Sequence, residues 1–324
     1  MSAVAGAERF DAPLTLLRSV GQVVLQANAM TGACLLAALL VSDLRLACAA
    51  LIGAVVANVL ASVTGYDARA TRDGVHGFNG VLAALASFVL IGDTGQAIAV
   101  AILAASAATW LLGPWSRWLR THGFAVYSSP CLLATWLWLS VLDTGIPHSG
   151  PSATDPPALP SDAASFVLRA THGILAGLAQ TEFTSGALAG ALVLAGIAAA
   201  SRRHALWAVA GAALASAIHL LIGAHPATFS LGLLGFNGAL TALALAGSGA
   251  RTALGGVIIA ALLQYAAGLA GLPALSAPFV IATWSALGLK QLTQRANAQT
   301  EPGACSRAII RERRRIDVSA GEHR

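Results

Sequence analysis

Apolar and polar positions in this chain fall in long blocks rather than alternating residue by residue. Apolar stretches recur from Leu14 almost to Leu289, separated by short polar breaks, and in the first part of the chain they occupy about 14–27, 30–42, 45–64, 78–92, 95–113 and 124–142. A hydrocarbon layer about 30 Å thick takes about 20 helical residues per crossing, so the whole chain can supply about ten crossings. The strict alternation of a membrane barrel strand is absent, and Ala, Leu, Val and Gly dominate. Helices are then the remaining way to satisfy every backbone group in lipid. The first stretch, 14–27, is too short to cross comfortably and reads as a re-entrant helix, leaving five crossings in that part of the chain.

The blocks repeat. "HGFNGVLAAL" from His76 returns as "LGFNGALTAL" from Leu234, an offset of 158 residues. At the same offset Gln22 falls on Gln180, Gly32 on Gly190, Gly53 on Gly211, Phe78 on Phe236, Asn79 on Asn237, Gly80 on Gly238 and Leu82 on Leu240. One gapless offset over so long a stretch identifies an internal repeat. A second pair follows at an offset of 148: Pro130, Thr135 and Trp136 against Pro278, Thr283 and Trp284, both reading PxxxxTW. The second copy has therefore lost residues between the motifs, with a loop the expected place. The reading is an N-terminal cytoplasmic segment (1–11), a first repeat (12–142), a Pro-rich extracytoplasmic linker (143–166), a second repeat (167–289) and a basic, disordered cytoplasmic tail (290–324). Five crossings per repeat, an odd number, invert the second copy relative to the first, an arrangement typical of transport proteins.

Charge agrees with that topology. Ten crossings with the N-terminus inside place Arg69, Arg72, Arg117, Arg120, Arg202, Arg203, Arg251 and everything from Lys290 on the cytoplasmic side. Of 19 Lys and Arg residues, Arg18, Arg45 and Arg169 alone fall elsewhere, as the positive-inside rule requires. The composition, 56% hydrophobic and 10% charged with a mean hydropathy of +0.73, is that of an integral membrane protein. The net charge of +5 comes from loops and tail and gives no reason to expect nucleic acid. Cys34, Cys48, Cys131 and Cys305 have no metal-ligand or redox spacing, and the N-terminus lacks a secretory leader, so no processing is expected.

Few ionisable groups lie in the apolar blocks, and those present are not duplicated. Glu182 falls on Val24, His219 on Ala61, His172 on Leu14 and His76 on Leu234. A lone histidine on an apolar face reads as a core residue, and Glu182 reads equally as a functional or a structural hydrogen-bonding group. An enzyme lacks the paired acid and base, metal set or nucleophile it would need, so no catalytic residue, metal or cofactor is expected. What the repeat duplicates is neutral: an amide (Gln22, Gln180), a ring (Phe78, Phe236), a Leu one turn later (Leu82, Leu240) and a hydroxyl (Thr135, Thr283). Such groups suit a small, planar, uncharged polar solute. Structural readings stand beside these. Asn79 and Gly80 fit the start of their own helix as cap and close-packing residue. The threonines can face a gap or bond back to their own helix, and Trp136 and Trp284 read as packing or interface anchors.

Taken in order, "GQVVLQANAMTG" from Gly21, GFNG in both halves and the two PxxxxTW segments resemble the urea transporter family over about residues 12–290. The resemblance implies an all-α membrane protein of ten transmembrane helices plus two re-entrant helices in two inverted five-helix repeats. It implies a homotrimer with one passive urea pore per subunit, surrounded by lipid and free of cofactor. It places Gln22 and Gln180 at the mouths, and Leu25, Phe78 and Leu82 in one slot with Phe183, Phe236 and Leu240 in the other. Thr135 and Thr283 would supply hydroxyls at the constriction. Leu25 stands where an aromatic is common and Tyr127 where Leu is usual. The competing reading is an ion-coupled carrier of a small neutral amide or other polar solute, with Glu182 as the coupling carboxylate.

Overall fold

The computed structural model describes residues 2–142 and 163–300, and within them the regular structure is all helical. Most of the expected linker and the chain after Thr300 lie outside the described residues. The first half contains α1 (Ser2–Gly21), a 3₁₀ turn (Gln22–Val24), α2 (Ala29–Ser42), α3 (Leu44–Val63), α4 (Ala68–Arg72), α5 (Phe78–Leu90), α6 (Thr94–Thr121) and α7 (Ser129–Val141). The second half answers in the same order with α8 (Ala163–Ala179), a 3₁₀ turn (Gln180–Glu182), α9 (Ala187–Ala200), α10 (Arg202–Leu221), α11 (Pro226–Ser230), α12 (Phe236–Leu245), α13 (Ala250–Leu269) and α14 (Ala277–Thr300). The sequence repeat is thus a repeat of elements.

Helices α3, α6, α10 and α13 are long and apolar enough to cross a membrane, and two bent pairs raise the candidates to six. These pairs are α1 with α2, bent by 76°, and α8 with α9, bent by 70°. Large apolar side chains stand exposed on the outer faces, Val63, Leu103, Leu206, Leu221, Leu254 and Leu269 among them. In water so much exposed apolar surface would be a liability, whereas lipid covers it without cost. The chain is a multi-pass helical membrane protein.

Close approach is bought with glycine. A Cβ on Gly53 of α3 would collide with the Gly80 carbonyl of α5, and one on Gly211 of α10 with the Gly238 carbonyl of α12. Small residues let backbones meet in lipid, where packing rather than hydrophobicity drives association. Arg45 Nη2 reaches the Gly92 carbonyl at 3.4 Å, and the Tyr66 hydroxyl reaches α6 at the other end. Hence α3 and α6 run parallel, with α5 antiparallel to both. The halves meet along α2 and α9, where Thr31 Oγ1 donates to the Gly196 carbonyl at 2.7 Å in a buried position.

Two expectations change. The residues missing from the second copy are lost from two helices, not a loop: α6 has 28 residues against 20 in α13, and α5 has 13 against 10 in α12. Pro114 lies inside α6 and cannot donate to the Trp110 carbonyl. The Tyr66 hydroxyl covers that break, 3.2 Å from the Thr109 carbonyl and 3.3 Å from that of Trp110, and it accepts from Gly113 N–H at 3.2 Å. Second, α14 continues through Thr300, so the start of the segment expected to be a disordered tail is helical. "LKQLTQRANAQT" holds no Gly or Pro to stop it.

Gly211→Val is expected to lower stability by about 1–3 kcal/mol through overpacking. Gly255→Val, where nothing lies within 4 Å, should leave the melting temperature of the detergent-solubilised protein unchanged. Equal melting temperatures for the two variants would contradict this account of the α10–α12 contact.

Candidate functional site

Both halves contribute to one cavity of about 280 Å³, room for about nine waters at roughly 30 Å³ each. Leu25, Phe78 and Leu82 line it from the first half, and Gln180, Thr181, Phe183, Phe236 and Leu240 from the second. Ser128, Ser276 and Phe279 also lie on the wall, and none of the lining residues is charged.

Local backbone geometry places these groups. Each 3₁₀ turn ends in a left-handed residue, Leu25 at φ 61° and Phe183 at φ 64°, with N–H bonds to the Gln22 carbonyl (2.9 Å) and the Gln180 carbonyl (3.2 Å). A non-glycine residue there carries a cost of about 1–2 kcal/mol, and the reward is a chain reversal that turns the side chain to the wall. Gln22 Nε2 donates to the Asp73 carbonyl and Gln180 Nε2 to that of Leu231, both at 3.1 Å. These amides tie each turn to the loop that leads into Phe78 or Phe236, the first residues of α5 and α12. Leu82 and Leu240 follow one turn later on the same face.

Asn79 and Asn237 do not cap their own helices; the N-cap positions there are Gly77 and Gly235. Each amide instead bridges to another segment. Asn79 donates to the Tyr127 carbonyl and accepts from Cys131 N–H, both at 3.1 Å. Asn237 donates to the Leu275 carbonyl and accepts from Phe279 N–H, both at 3.2 Å. Each therefore caps α7 or α14 from outside and holds a left-handed residue, Tyr127 or Leu275, both at φ 48°. Directly after those residues come Ser128 and Ser276, whose hydroxyl oxygens are 2.8 Å apart.

The paired hydroxyls on the wall are therefore these serines, since Thr181 Oγ1, also on the wall, donates to the Leu178 carbonyl at 2.7 Å. Thr135 and Thr283 are fully buried, and the cavity does not reach them. Thr283 Oγ1 donates to the Phe279 carbonyl at 2.8 Å, and Thr135 Oγ1 lies 3.9 Å from Cys131 Sγ. A hydroxyl inside a helix satisfies itself on the preceding turn, while a serine ahead of the helix stays free to face the gap. Trp136 and Trp284 are not mere anchors: Nε1 of each crosses to the other half, to the Pro273 carbonyl (2.9 Å) and the Ala125 carbonyl (2.8 Å).

Gln22 opens onto a wider hollow of about 770 Å³, which shares Leu25 and Phe78 with the cavity. Asp67, His76, Arg117 and Arg120 also line that hollow. Burial pulls the His76 imidazole below its ordinary pKa, with Asp67 opposing. At the 148 offset Arg117 and Arg120 become Tyr265 and Gly268, so the duplicated positions are basic in the first half only. Glu182, between Thr181 and Phe183, is fully buried, and neither carboxylate oxygen has a partner among the described residues. His219 is buried on α10 with Nδ1 2.8 Å from the Ala215 carbonyl, away from the cavity. No cluster among the described residues could hold a metal.

A family model described as urea transporter matches residues 14–291, a range that contains every residue of the cavity wall. The chain belongs to the urea transporter family. No curated protein sequence matches it significantly. Membership makes urea the substrate class and membrane transport, rather than an enzymatic reaction, the activity. In this urea transporter the family match covers both copies of the repeat, and Phe78 and Leu82 of one copy share a cavity wall with Phe236 and Leu240 of the other.

Asn79→Ala and Asn237→Ala each leave a buried carbonyl and a buried N–H without a partner, and each is expected to cost about 1–3 kcal/mol. Thermal unfolding in detergent measures this; no loss for either variant would remove the capping role.

Proposed function

We propose that the cavity is the narrow part of a passive urea channel. The observation that carries the reading is a single uncharged wall built from equivalent residues of both repeats, Phe78 with Leu82 and Phe236 with Leu240, around the Ser128–Ser276 hydroxyl pair. In this reading the rings and leucines form flat slots for the urea plane. Gln22 and Gln180 stand at the two mouths, and Leu25 and Phe183 complete the slots. Helices α2, α3, α5, α6 and α7 make five crossings after the re-entrant α1, and α9, α10, α12, α13 and α14 repeat them inverted after α8. The basic loops and both termini face the cytoplasm across the cytoplasmic membrane. The homotrimer is carried over from the family resemblance.

The physics favours a neutral solute. Removing urea from water forfeits several hydrogen bonds at about 1–3 kcal/mol each unless the wall replaces them. The paired serines use one donor and one acceptor on each other and retain a second proton and further lone pairs for a solute. An ion finds no opposite charge among the lining residues, so its desolvation goes uncompensated. The expected behaviour is rapid flux that follows the urea gradient and ignores proton and sodium gradients.

Glu182 supports a second reading, an ion-coupled carrier, because a buried carboxylate without a partner often marks a coupling site. Proteoliposomes decide between them. Urea accumulation driven by a proton or sodium gradient, abolished in Glu182→Gln, would establish the carrier and refute the channel. The channel reading expects no such accumulation.

The hydroxyl assignment has its own test. Ser128→Ala with Ser276→Ala should slow urea passage by about tenfold, the equivalent of about 1.4 kcal/mol. Thr135→Val with Thr283→Val should change it less than about twofold, since those hydroxyls are spent on their own helices. Stopped-flow light scattering of proteoliposomes measures both, and the reverse ranking would restore the threonines to the passage.

A further inference from the structure

The two serines can meet only if the loops that carry them are held, and their own backbone works against that. Tyr127 and Leu275, the residues just before the serines, sit in the left-handed region at φ 48°. A non-glycine residue there is held at a cost, persisting where the surroundings over-determine it. Part of the restraint comes from Asn79 and Asn237 of the same half as each loop. The rest crosses the molecule. Trp136 of the first half donates to the Pro273 carbonyl, three residues before Ser276, and Trp284 of the second half donates to the Ala125 carbonyl, three residues before Ser128.

We infer that Trp136 and Trp284 are reciprocal positioning residues, each fixing the hydroxyl contributed by the opposite repeat. The inference rests on the channel reading only in assigning the hydroxyl pair a use; the positioning itself is a matter of geometry. Neither indole lies on the cavity wall, so neither touches the solute. Their action is on the distance between Ser128 and Ser276. A donor shared by both copies, spanning 137 and 159 residues of sequence, also accounts for the tryptophan in PxxxxTW, which a packing role leaves free to be any large ring. Each half thus completes the other half's polar element, and loosening one clamp disturbs both serines because they bond to each other.

The decisive experiment reads the geometry without urea. Cysteines at the paired positions (Ser128→Cys with Ser276→Cys) are close enough to bridge under mild oxidant, and the linked peptide is followed by mass spectrometry. Adding Trp136→Phe and Trp284→Phe, which keep a ring and remove the donor, should slow bridging by about tenfold. Equal rates would overturn the inference. Urea flux supplies the second readout. The Phe pair should slow urea in the serine-bearing protein but have no further effect once both serines are Ala. A further loss in that background would mean a merely structural role and would also overturn it. Should the unaltered protein conduct no urea, the channel reading fails, while the bridging rates still decide the positioning role.

Discussion

The structure depends on satisfying backbone polar groups at the places where helices stop inside an apolar environment. A buried carbonyl or N–H left orphaned there costs about 1–3 kcal/mol. This protein breaks its helices repeatedly, at the 3₁₀ turns, ahead of α5 and α12, and ahead of α7 and α14. At two of these breaks side-chain amides or indoles stand in for missing helix partners: Gln22 and Gln180 ahead of α5 and α12, and Asn79, Asn237, Trp136 and Trp284 ahead of α7 and α14. The groups that make the breaks tolerable are the groups that shape the cavity. Stability and the form of the cavity are two readings of one hydrogen-bond network.

The two copies agree where this network runs and differ elsewhere. The hydrogen bonds of the Gln and Asn amides recur at constant offsets with distances equal to within 0.1 Å. Divergence lies outside these bonds. The first copy lengthens α6 around Pro114 and adds Arg117 and Arg120 to its hollow, while the second carries Glu182 where the first has Val24.

Much of this was legible in the sequence, and the exceptions share a cause. Fixed offsets and neutral duplicated residues picked out Phe78, Leu82, Phe236 and Leu240, and these lie on one cavity wall because local geometry sets each Phe one helical turn from its Leu. The hydroxyls the sequence singled out, Thr135 and Thr283, do not line the cavity, and those of Ser128 and Ser276 do. Thr135 and Thr283 stood out as an exact duplicate with proline, whereas Ser128 and Ser276 lay in "YSSP" and "LSAP" with little to mark them, and only folding shows which face a helix-start residue takes. The amides of Asn79 and Asn237 were assigned to their own helices because capping is usually local; their partners are 48 to 52 and 38 to 42 residues away. The same non-locality hid the indole bonds. Glu182 was singled out from composition, and its complete burial without a partner is what keeps it of interest.

The crossing indoles bear on how the protein is made. Trp136 leaves the ribosome 137 residues before the carbonyl it will bond, an interval of roughly 7 to 27 s at typical rates of synthesis. For that time the first repeat sits in the bilayer with its last loop unfastened and its serine without a mate. Neither repeat closes its own last loop alone, because the indole that fastens each loop belongs to the other half.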